Sequence, residues 1–390
     1  MTQPMAASDE QAALHLTAPH PTTPHPTTQH PSTPQPTALQ PAPRPTAPQP
    51  TAPQILLRCR ELVRPALAAA IERLHPWPRE MAAFSLGWCD VGGKPGSGAH
   101  GKGVRQALTV LCAEAAGAPG ETAVAGAVAV ELIHTFSLLH DDIMDGDETR
   151  RQRETVWKAY GTGPAVLAGD ALFALALETL ATSRNANSGA AIRKLSEALN
   201  ALVRGQAEDL LFETRPWTGP NAVRLHEYQS MADHKTGALL GCAAALGAVL
   251  AGAPPSTVTA LAQAGQHLGV AFQAVDDLLG MWGDPEVTGK PVHSDLRRTK
   301  KTFPVLAALN TNGPVARRLL ALLESPSAMD DVTVRHAAEL IEEAGGRAAT
   351  LDEASRHLDM ASACLNSVPL APTAVGEILT LLPFLITRRM

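Results

Sequence analysis

The residues most able to do chemistry form an acidic segment at the end of a long apolar run, Asp141-Asp142-Ile-Met-Asp145. A helix advances by about 100° per residue, so Asp141 and Asp145, four residues apart, share one face. His134 lies on the same stripe, seven residues before Asp141. Carboxylate oxygens at this spacing suit Mg²⁺, which commonly bridges protein carboxylates and substrate phosphates. The segment therefore predicts a magnesium-binding face.

A second acidic segment, Phe272-Gln273-Ala-Val-Asp276-Asp277, ends another apolar run, with Gln273 on roughly the same face as Asp276. A single acidic segment is also typical of a solvated helix end, which for the first segment would pair with Arg150 and Arg151. Two such segments in one helical chain favour the facing walls of a metal–diphosphate site, because buried carboxylates are costly unless something neutralises them.

The positive charges needed to hold phosphate groups are also present, at positions where loops end or helices begin. They are Lys102, Arg105, Lys235 with its neighbour Thr236, Lys290 and Lys300. Each of these side chains alone is more often a solvated surface charge. Their joint placement favours a diphosphate site.

The composition argues against several other functions. A net charge of −6 over 390 residues and an aromatic content of 4% do not fit a general nucleic-acid binder. The five cysteines are widely spaced, which argues against a disulfide scaffold or a structural zinc site. The first thirty residues lack a basic start and an apolar run, and the long uncharged stretch 237–254 is rich in Ala and Gly. We therefore predict a cytoplasmic protein with no membrane span, in which 237–254 is a buried helix.

The elements that position these residues are predicted to be helices. From about Ile55 onward, good helix formers dominate and apolar residues recur at intervals of three and four. This predicts one all-α domain over residues 55–390, a bundle of ten or more mostly antiparallel helices. Residues 1–54 hold 14 of the 32 prolines, so they can bury little apolar surface. We predict that they form an extended, disordered segment.

Taken together, the motifs resemble those of the trans-isoprenyl diphosphate synthases. Asp141-Asp142-Ile-Met-Asp145 with Arg150-Arg151 resembles the first aspartate-rich motif of that family, and Asp276-Asp277-Leu-Leu-Gly280 resembles the second. The other matching segments are Gly101-Lys102-Gly103-Val104-Arg105, Gly205-Gln206-Ala-Glu-Asp209, Lys235-Thr236-Gly-Ala-Leu and Gly289-Lys290-Pro-Val-His-Ser-Asp295-Leu. The resemblance extends from about residue 101 to 304 and implies antiparallel helices around a deep central cavity, usually in a homodimer.

The resemblance also implies a role for individual residues and a reaction between isopentenyl diphosphate and an allylic diphosphate. Three Mg²⁺ ions are expected, and the implied metal residues are Asp141, Asp145, Asp142, Asp276 and Asp277. The residues implied to bind isopentenyl diphosphate are Lys102, Arg105, His134 and Arg151. Those implied to bind the allylic diphosphate are Arg150, Lys235, Thr236, Gln273, Lys290 and Lys300.

The sequence departs from the family pattern at three places. The basic segment around Lys102 lacks one Arg and the Pro of the usual version, and Gln152 and Glu154 replace the usual Gly and Pro. The second acidic segment ends in Gly280 rather than Asp. These changes leave the principal metal ligands intact.

Product length is expected to depend on Phe136 and Ser137, which lie about one turn before Asp141. An aromatic residue at the first of these positions, in a motif without an insertion, resembles the C20, geranylgeranyl-forming type. The alternatives are farnesyl or longer products, with Phe136 serving only to pack against a neighbouring helix.

Two other classes of function remain open. A class I terpene cyclase would also carry an aspartate-rich helix, but it would need an Asn/Asp, Ser, Glu triplet that is not evident around Asp276. The other is a weakly catalytic interaction subunit. Residues 1–54 resemble the extensions of prenyltransferases packaged in encapsulin shells, which implies a cargo-loading segment that docks through Leu14 and Leu16. A simple solvated extension is the alternative.

Overall fold

The computed structural model describes residues 50–96, 101–285, 292–325 and 329–386. Lys290 and residues 1–49 lie outside these ranges. The predictions of an extended N-terminal segment and of its docking to a shell therefore stay predictions.

The described residues fold mainly into helices. The first half contains α1 Ala52–Ile71, α2 Pro76–Ser85, α3 Val104–Ala115, a 3₁₀ turn Gly120–Ala123, α4 Val124–Asp145, strands β1 Thr149–Arg150 and β2 Arg153–Glu154, α5 Val156–Tyr160, α6 Thr162–Ala181 and α7 Ser188–Thr214. The second half contains α8 Leu225–Ala232, a π turn Asp233–Gly237, α9 Ala238–Leu250, α10 Pro255–Trp282, α11 Ser294–Arg297, α12 Phe303–Asn310, α13 Pro314–Leu323, α14 Asp331–Glu343, α15 Gly346–Asn366 and α16 Pro372–Ile386.

The predicted all-α class with ten or more helices is confirmed. Helix α1 begins at Ala52, earlier than the apolar pattern indicates, and Pro53 lies in its first turn, where the missing N–H group costs no helical hydrogen bond. The two strands, each of two residues, form a small antiparallel hairpin directly after α4.

Close helix packing surrounds α9, whose residues are almost all buried, as predicted for 237–254. Helix α9 packs against α3, α7 and α10, and α4 packs against α6. A Cβ atom added at Gly247 of α9 would lie 2.2 Å from the backbone oxygen of Thr109 in α3, so only glycine permits this approach.

Two helical segments, Gly120–Asp145 and Thr162–Ala181, are long and apolar enough to cross a membrane by length and composition alone. Core helices of soluble proteins pass the same test, and 56% of the most apolar window of the first segment is buried inside the protein. The prediction that no segment spans a membrane therefore stays a prediction.

A π turn interrupts the helical path between α8 and α9 at Asp233–Gly237 and carries Lys235 and Thr236. Isolated π turns inside helices are frequent at functional sites. Glycines in two neighbouring helices allow those helices to pack directly against the backbone of the turn. A Cβ atom at Gly205 of α7 would lie 2.3 Å from the backbone nitrogen of Lys235, and one at Gly269 of α10 would lie 2.5 Å from the Cα atom of Gly237.

Replacement of Gly205 by alanine should therefore destabilise the protein, because the added methyl group collides with rigid backbone. We expect Gly205→Ala to lower the free energy of unfolding by about 1–3 kcal/mol, the usual cost of overpacking. The measurement is urea unfolding of the purified protein.

Gly189→Ala is the matched control, because Gly189 lies in the same helix with no heavy atom within 4 Å of an added Cβ. It should change stability by no more than about 0.5 kcal/mol. Equal stabilities for the two variants would contradict the close contact between α7 and the π turn.

Candidate active site

A cavity of about 640 Å³ opens among α3, α4, α7, α9, α10 and the segment that leads into α12. Most of the residues singled out in the sequence line it: Lys102, Arg105, His134, Ser137, Asp141, Arg150, Arg151, Lys235, Thr236, Gln273, Asp276, Asp277 and Lys300. Asp142, Asp145 and Phe136 do not line it, and Lys290 lies outside the described residues. Segments that are far apart in the chain therefore form one site.

The first wall is the end of α4, where consecutive aspartates have different environments. Asp141 lines the cavity, and its side chain makes no hydrogen bond or ion pair with any other described residue. Burial raises the pKa of Asp141 to about 6. Asp142 is buried and accepts a hydrogen bond of 2.8 Å from Arg150 Nε, and Arg150 Nη2 lies 2.7 Å from the same carboxylate oxygen. Asp142 thus fixes the guanidinium group of Arg150 at the cavity.

The lysines of the site are held by carboxylates from other elements. Lys235 Nζ lies 2.5 Å from Asp209 Oδ2 on α7, and Lys300 Nζ lies 3.3 Å from Asp145 Oδ1 on α4. Burial lowers the pKa of both lysines, but the nearby carboxylates outweigh burial and raise the pKa overall, so both side chains remain charged.

The second wall is the end of α10, where Asp277 is fully engaged by the protein. Its Oδ2 atom accepts hydrogen bonds from the hydroxyl group of Tyr228 and, at 2.9 Å, from the backbone N–H of Phe303. Its Oδ1 atom accepts from Gln273 Nε2 at 3.0 Å, and Gln273 Oε1 accepts from the hydroxyl of Thr236 at 2.6 Å. Asp276, the preceding residue, lines the cavity. Asp277 therefore ties α8, α10, α12 and, through Gln273, the π turn together.

The basic segment around Lys102 also lines the cavity. Arg105 lies 3.2 Å from Nε2 of His134, and burial together with three nearby arginines holds the pKa of His134 well below its usual range. The imidazole is therefore neutral. The guanidinium group of Arg151 lies over Gly101, where a Cβ atom would lie 2.9 Å from Nη1. The glycine beside Lys102 thus lets Arg151 reach this segment.

The cavity also contains residues to which the sequence analysis assigned no role. Gln206 and Thr302 line the cavity, are buried, and have side-chain polar atoms without a hydrogen-bond partner among the described residues. Asp209 and Asp295 are charged residues of the same cavity. Gln206 and Asp209 belong to a segment that resembles the family. Their spacing of three residues places them on one face of a helix, and this pattern could have identified them as cavity residues.

The two residues expected to control product length point in different directions. Ser137 lines the cavity. Phe136 packs instead against Phe173 of α6, with ring centroids 5.5 Å apart, and against His140, with centroids 4.7 Å apart.

The site fits Mg²⁺ that is shared with a substrate. Among the described residues, no three Asp, Glu, His or Cys side chains could by themselves hold an ion. The donors on the two walls are hard carboxylate oxygens, and the half-buried Asp141 makes no direct ion pair with a described residue, which suits an ion completed by phosphate oxygens. Asp141 and Asp276 are the residues best placed to hold such ions.

Comparison with known proteins gives consistent results. The sequence profile of the family described as "Polyprenyl synthetase" matches residues 96–341. A "(2E,6E)-farnesyl diphosphate synthase" of Mycobacterium bovis is 45% identical over 339 residues, which cover 86% of this chain and 93% of the relative. A "Geranylgeranyl diphosphate synthase" of Mycobacterium tuberculosis is 42% identical over 323 residues, which cover 83% of this chain and 91% of the relative.

Solved structures show the same similarity. The polyprenyl synthetase from Streptomyces coelicolor A3(2) is 46% identical, with a TM-score of 0.80, over 85% of this chain and 99% of that protein. The geranylgeranyl pyrophosphate synthetase from Pyrococcus horikoshii is 31% identical, with a TM-score of 0.75, over 86% of this chain and 98% of that protein.

Proposed function

The chain belongs to the polyprenyl synthetase family, and we propose that it makes geranylgeranyl diphosphate from isopentenyl diphosphate and allylic diphosphates in a Mg²⁺-dependent reaction. The predicted resemblance to trans-isoprenyl diphosphate synthases is confirmed, and the chain is a prenyltransferase of this family. The product length, the metal ions, the residue roles and the homodimer are our proposals.

The observation that carries the proposal is one cavity with carboxylates on two walls and fixed cations between them. Asp141 and Asp276 line the cavity near the ends of α4 and α10. Three cations are fixed at the same cavity by ion pairs: Arg150 with Asp142, Lys235 with Asp209 and Lys300 with Asp145. A diphosphate group bridged to these walls would meet positive charge on several sides.

This arrangement suits an ionisation of the allylic substrate. When bound, Mg²⁺ neutralises the charge that develops on the departing diphosphate. Arg150, Lys235 and Lys300 add fixed positive charge at the same place, where it favours the charge-separated transition state. The apolar side chains of Leu202, Leu239 and Leu240 line the cavity and exclude water from the allylic cation.

The second substrate is assigned to the rim formed by Lys102, Arg105 and Arg151. Three cations beside the neutral His134 suit the diphosphate of isopentenyl diphosphate. The double bond of this substrate attacks the allylic cation, a new carbon–carbon bond forms, and a proton leaves. The released diphosphate is the acceptor that we propose, since the site needs no side-chain base for this step.

Mass analysis of the products from isopentenyl diphosphate with dimethylallyl, geranyl or farnesyl diphosphate tests this function. We expect a product that requires Mg²⁺, and a fall of at least about 10²–10³-fold in kcat for Asp141→Ala, the usual effect of removing an electrostatic group of the transition state. Asp359→Ala, which changes an exposed carboxylate on α15, should leave kcat unchanged. A parent protein that elongates none of the three primers would instead favour the interaction-subunit hypothesis.

Product length follows from the wall below Asp141. Ser137 presents a small side chain to the cavity, and the ring of Phe136 lies outside it against Phe173. This wall therefore leaves room for growth beyond fifteen carbons, which supports a C20 product. A C15 product is the second candidate, because a 45% identical relative is named a farnesyl diphosphate synthase.

Substitutions at these two neighbouring positions should therefore have opposite consequences. Ser137→Phe adds a ring to the cavity wall and should shift the main product to C15 or shorter. Phe136→Ala should keep the main product and lower stability by about 2 kcal/mol, less than for a fully buried ring because Phe136 is only half-buried. Chromatography of the dephosphorylated products and thermal unfolding measure the two effects. Longer products from Phe136→Ala would contradict this placement of the ring.

The expected homodimer is supported by the outer faces of α6 and α7. These neighbouring helices expose Val166, Leu167, Val203 and Leu211, with Leu167 and Leu211 at 50% and 57%. Clustered apolar side chains on a surface mark sites of association, and the pairing of equivalent faces of two copies would bury them.

Sedimentation equilibrium should accordingly give about twice the chain mass of 40.9 kDa. Leu167→Glu should shift the protein toward the monomer, because a carboxylate would be buried in the interface. Val332→Glu, at an exposed apolar residue of α14, is the matched control and should leave the mass unchanged. A parent protein that sediments as a monomer at micromolar concentration would exclude the dimer.

A further inference from the structure

The two acidic walls differ at one position. In α4, Asp141 is followed four residues later by Asp145, on the same face of the helix. In α10, the residue four positions after Asp276 is Gly280. The second wall therefore lacks, on its own helix, the carboxylate that the first wall has.

The carboxylate of Asp295 occupies the space beside Gly280. A Cβ atom built on Gly280 would lie 2.0 Å from Asp295 Oδ2 and 2.6 Å from its Cγ atom. These distances are far below any van der Waals contact, so the position of the Asp295 side chain is compatible only with glycine at position 280. The carboxylate comes from α11 and lies where a side chain of residue 280 would begin.

Several contacts hold this arrangement in place. The hydroxyl group of Ser294 lies 3.4 Å from the backbone oxygen of Gly280, and the backbone N–H of Lys300 donates a 3.0 Å hydrogen bond to the backbone oxygen of Asp295. Asp276, Gly280, Ser294 and Asp295 all line the cavity. The Asp295 carboxylate thus lies at the same wall as Asp276, about one helical turn away.

The charges around this carboxylate also belong to the site. Burial lowers the pKa of Lys300 and of Arg298, and nearby carboxylates outweigh it: mainly Asp145 and Asp209 for Lys300 and Asp147 for Arg298, with a smaller contribution from Asp295 to both. Asp295 therefore acts electrostatically on the same groups as the carboxylates of the two walls.

We propose that Asp295 is the second carboxylate of the α10 wall, so that Asp276 and Asp295 together hold a divalent cation that the substrate diphosphate also binds. Gly280 is required because only glycine admits the Asp295 carboxylate at this position. Two carboxylate oxygens plus phosphate oxygens match the ligand set that Mg²⁺ commonly uses. This inference rests on the proposed function and assigns part of its metal site to a residue outside the two acidic segments.

The alternative is that Asp295 only anchors the connection between α11 and α12. An anchor would act through shape and hydrogen bonds, and it would not affect the affinity for cations. A test must therefore count bound cations as well as activity.

The experiment titrates the full-length protein with Mn²⁺ in the presence of inorganic diphosphate and follows free Mn²⁺ by electron paramagnetic resonance. Asp295→Asn removes the charge but keeps the shape. We expect it to weaken the binding of one Mn²⁺ ion by at least about tenfold, at the lower end of the effects seen around metal sites. Asp284→Ala, at an exposed carboxylate two residues after the end of α10, is the matched control and should bind Mn²⁺ like the parent.

A relocation of the carboxylate gives the sharper test. Gly280→Asp alone should weaken Mn²⁺ binding and thermal stability, because two carboxylates would compete for one space. Gly280→Asp combined with Asp295→Ala should recover Mn²⁺ affinity to within about threefold of the parent, since the charge returns to the same wall from α10. Thermal unfolding of each variant checks that the fold is retained.

The outcomes separate this inference from the proposed function. Normal Mn²⁺ affinity in Asp295→Asn, or a double variant weaker than both single variants, would overturn the role of Asp295 while the parent still makes product. A parent that binds no Mn²⁺ with diphosphate and makes no product would overturn the proposed function itself.

Discussion

The cost of burying charge is the constraint on which this site depends. A carboxylate or an ammonium group beside an apolar cavity is tolerated only when another charge or several hydrogen bonds compensate it. The protein meets this requirement with pairs that join distant segments, since Asp142 holds Arg150, Asp209 holds Lys235 and Asp145 holds Lys300. Each pair keeps its cation charged and fixes it at the cavity. The contacts that compensate the buried charges therefore also orient the side chains of the site.

Backbone geometry does the rest of the positioning. Lys235 and Thr236 lie in a π turn, which turns their side chains relative to those of a regular helix. Gly205 and Gly269 allow α7 and α10 to approach the backbone of that turn. Thr236 then donates to Gln273, and Gln273 donates to Asp277, so the turn is linked to the second acidic wall by side chains.

The sequence predicted the helical class, the two acidic walls and most of the cavity residues, because these depend on local pattern. The 3.6-residue period places Asp141 and Asp276 at helix ends, and polar residues there stand out against the apolar runs. The sequence could not predict the partners of Lys235 or Lys300, which depend on contacts between residues 26 and 155 positions apart. The sequence also could not predict whether the ring of Phe136 enters the cavity or packs against another helix. That choice depends on its contact with Phe173 of α6. The position of Asp295 depends on the approach of α11 to α10 and on the missing side chain of Gly280, and neither has a periodic signal.

The doubled aspartates of both walls have a common physical explanation. Neighbouring residues on a helix point about 100° apart, so two adjacent aspartates have different surroundings, even in α10 where both line the cavity. In α4, Asp141 faces the cavity and makes no hydrogen bond or ion pair with a described residue, whereas Asp142 is buried against Arg150. In α10, Asp276 lines the cavity, whereas Asp277 accepts hydrogen bonds from Tyr228, Gln273 and Phe303. In each pair the first carboxylate lines the cavity, and the second fixes the helix end that carries the first. Because Asp277 is already satisfied by the protein, a further carboxylate at the α10 wall must come from another element, and the space beside Gly280 holds that of Asp295. On α4, Asp145 instead pairs with Lys300.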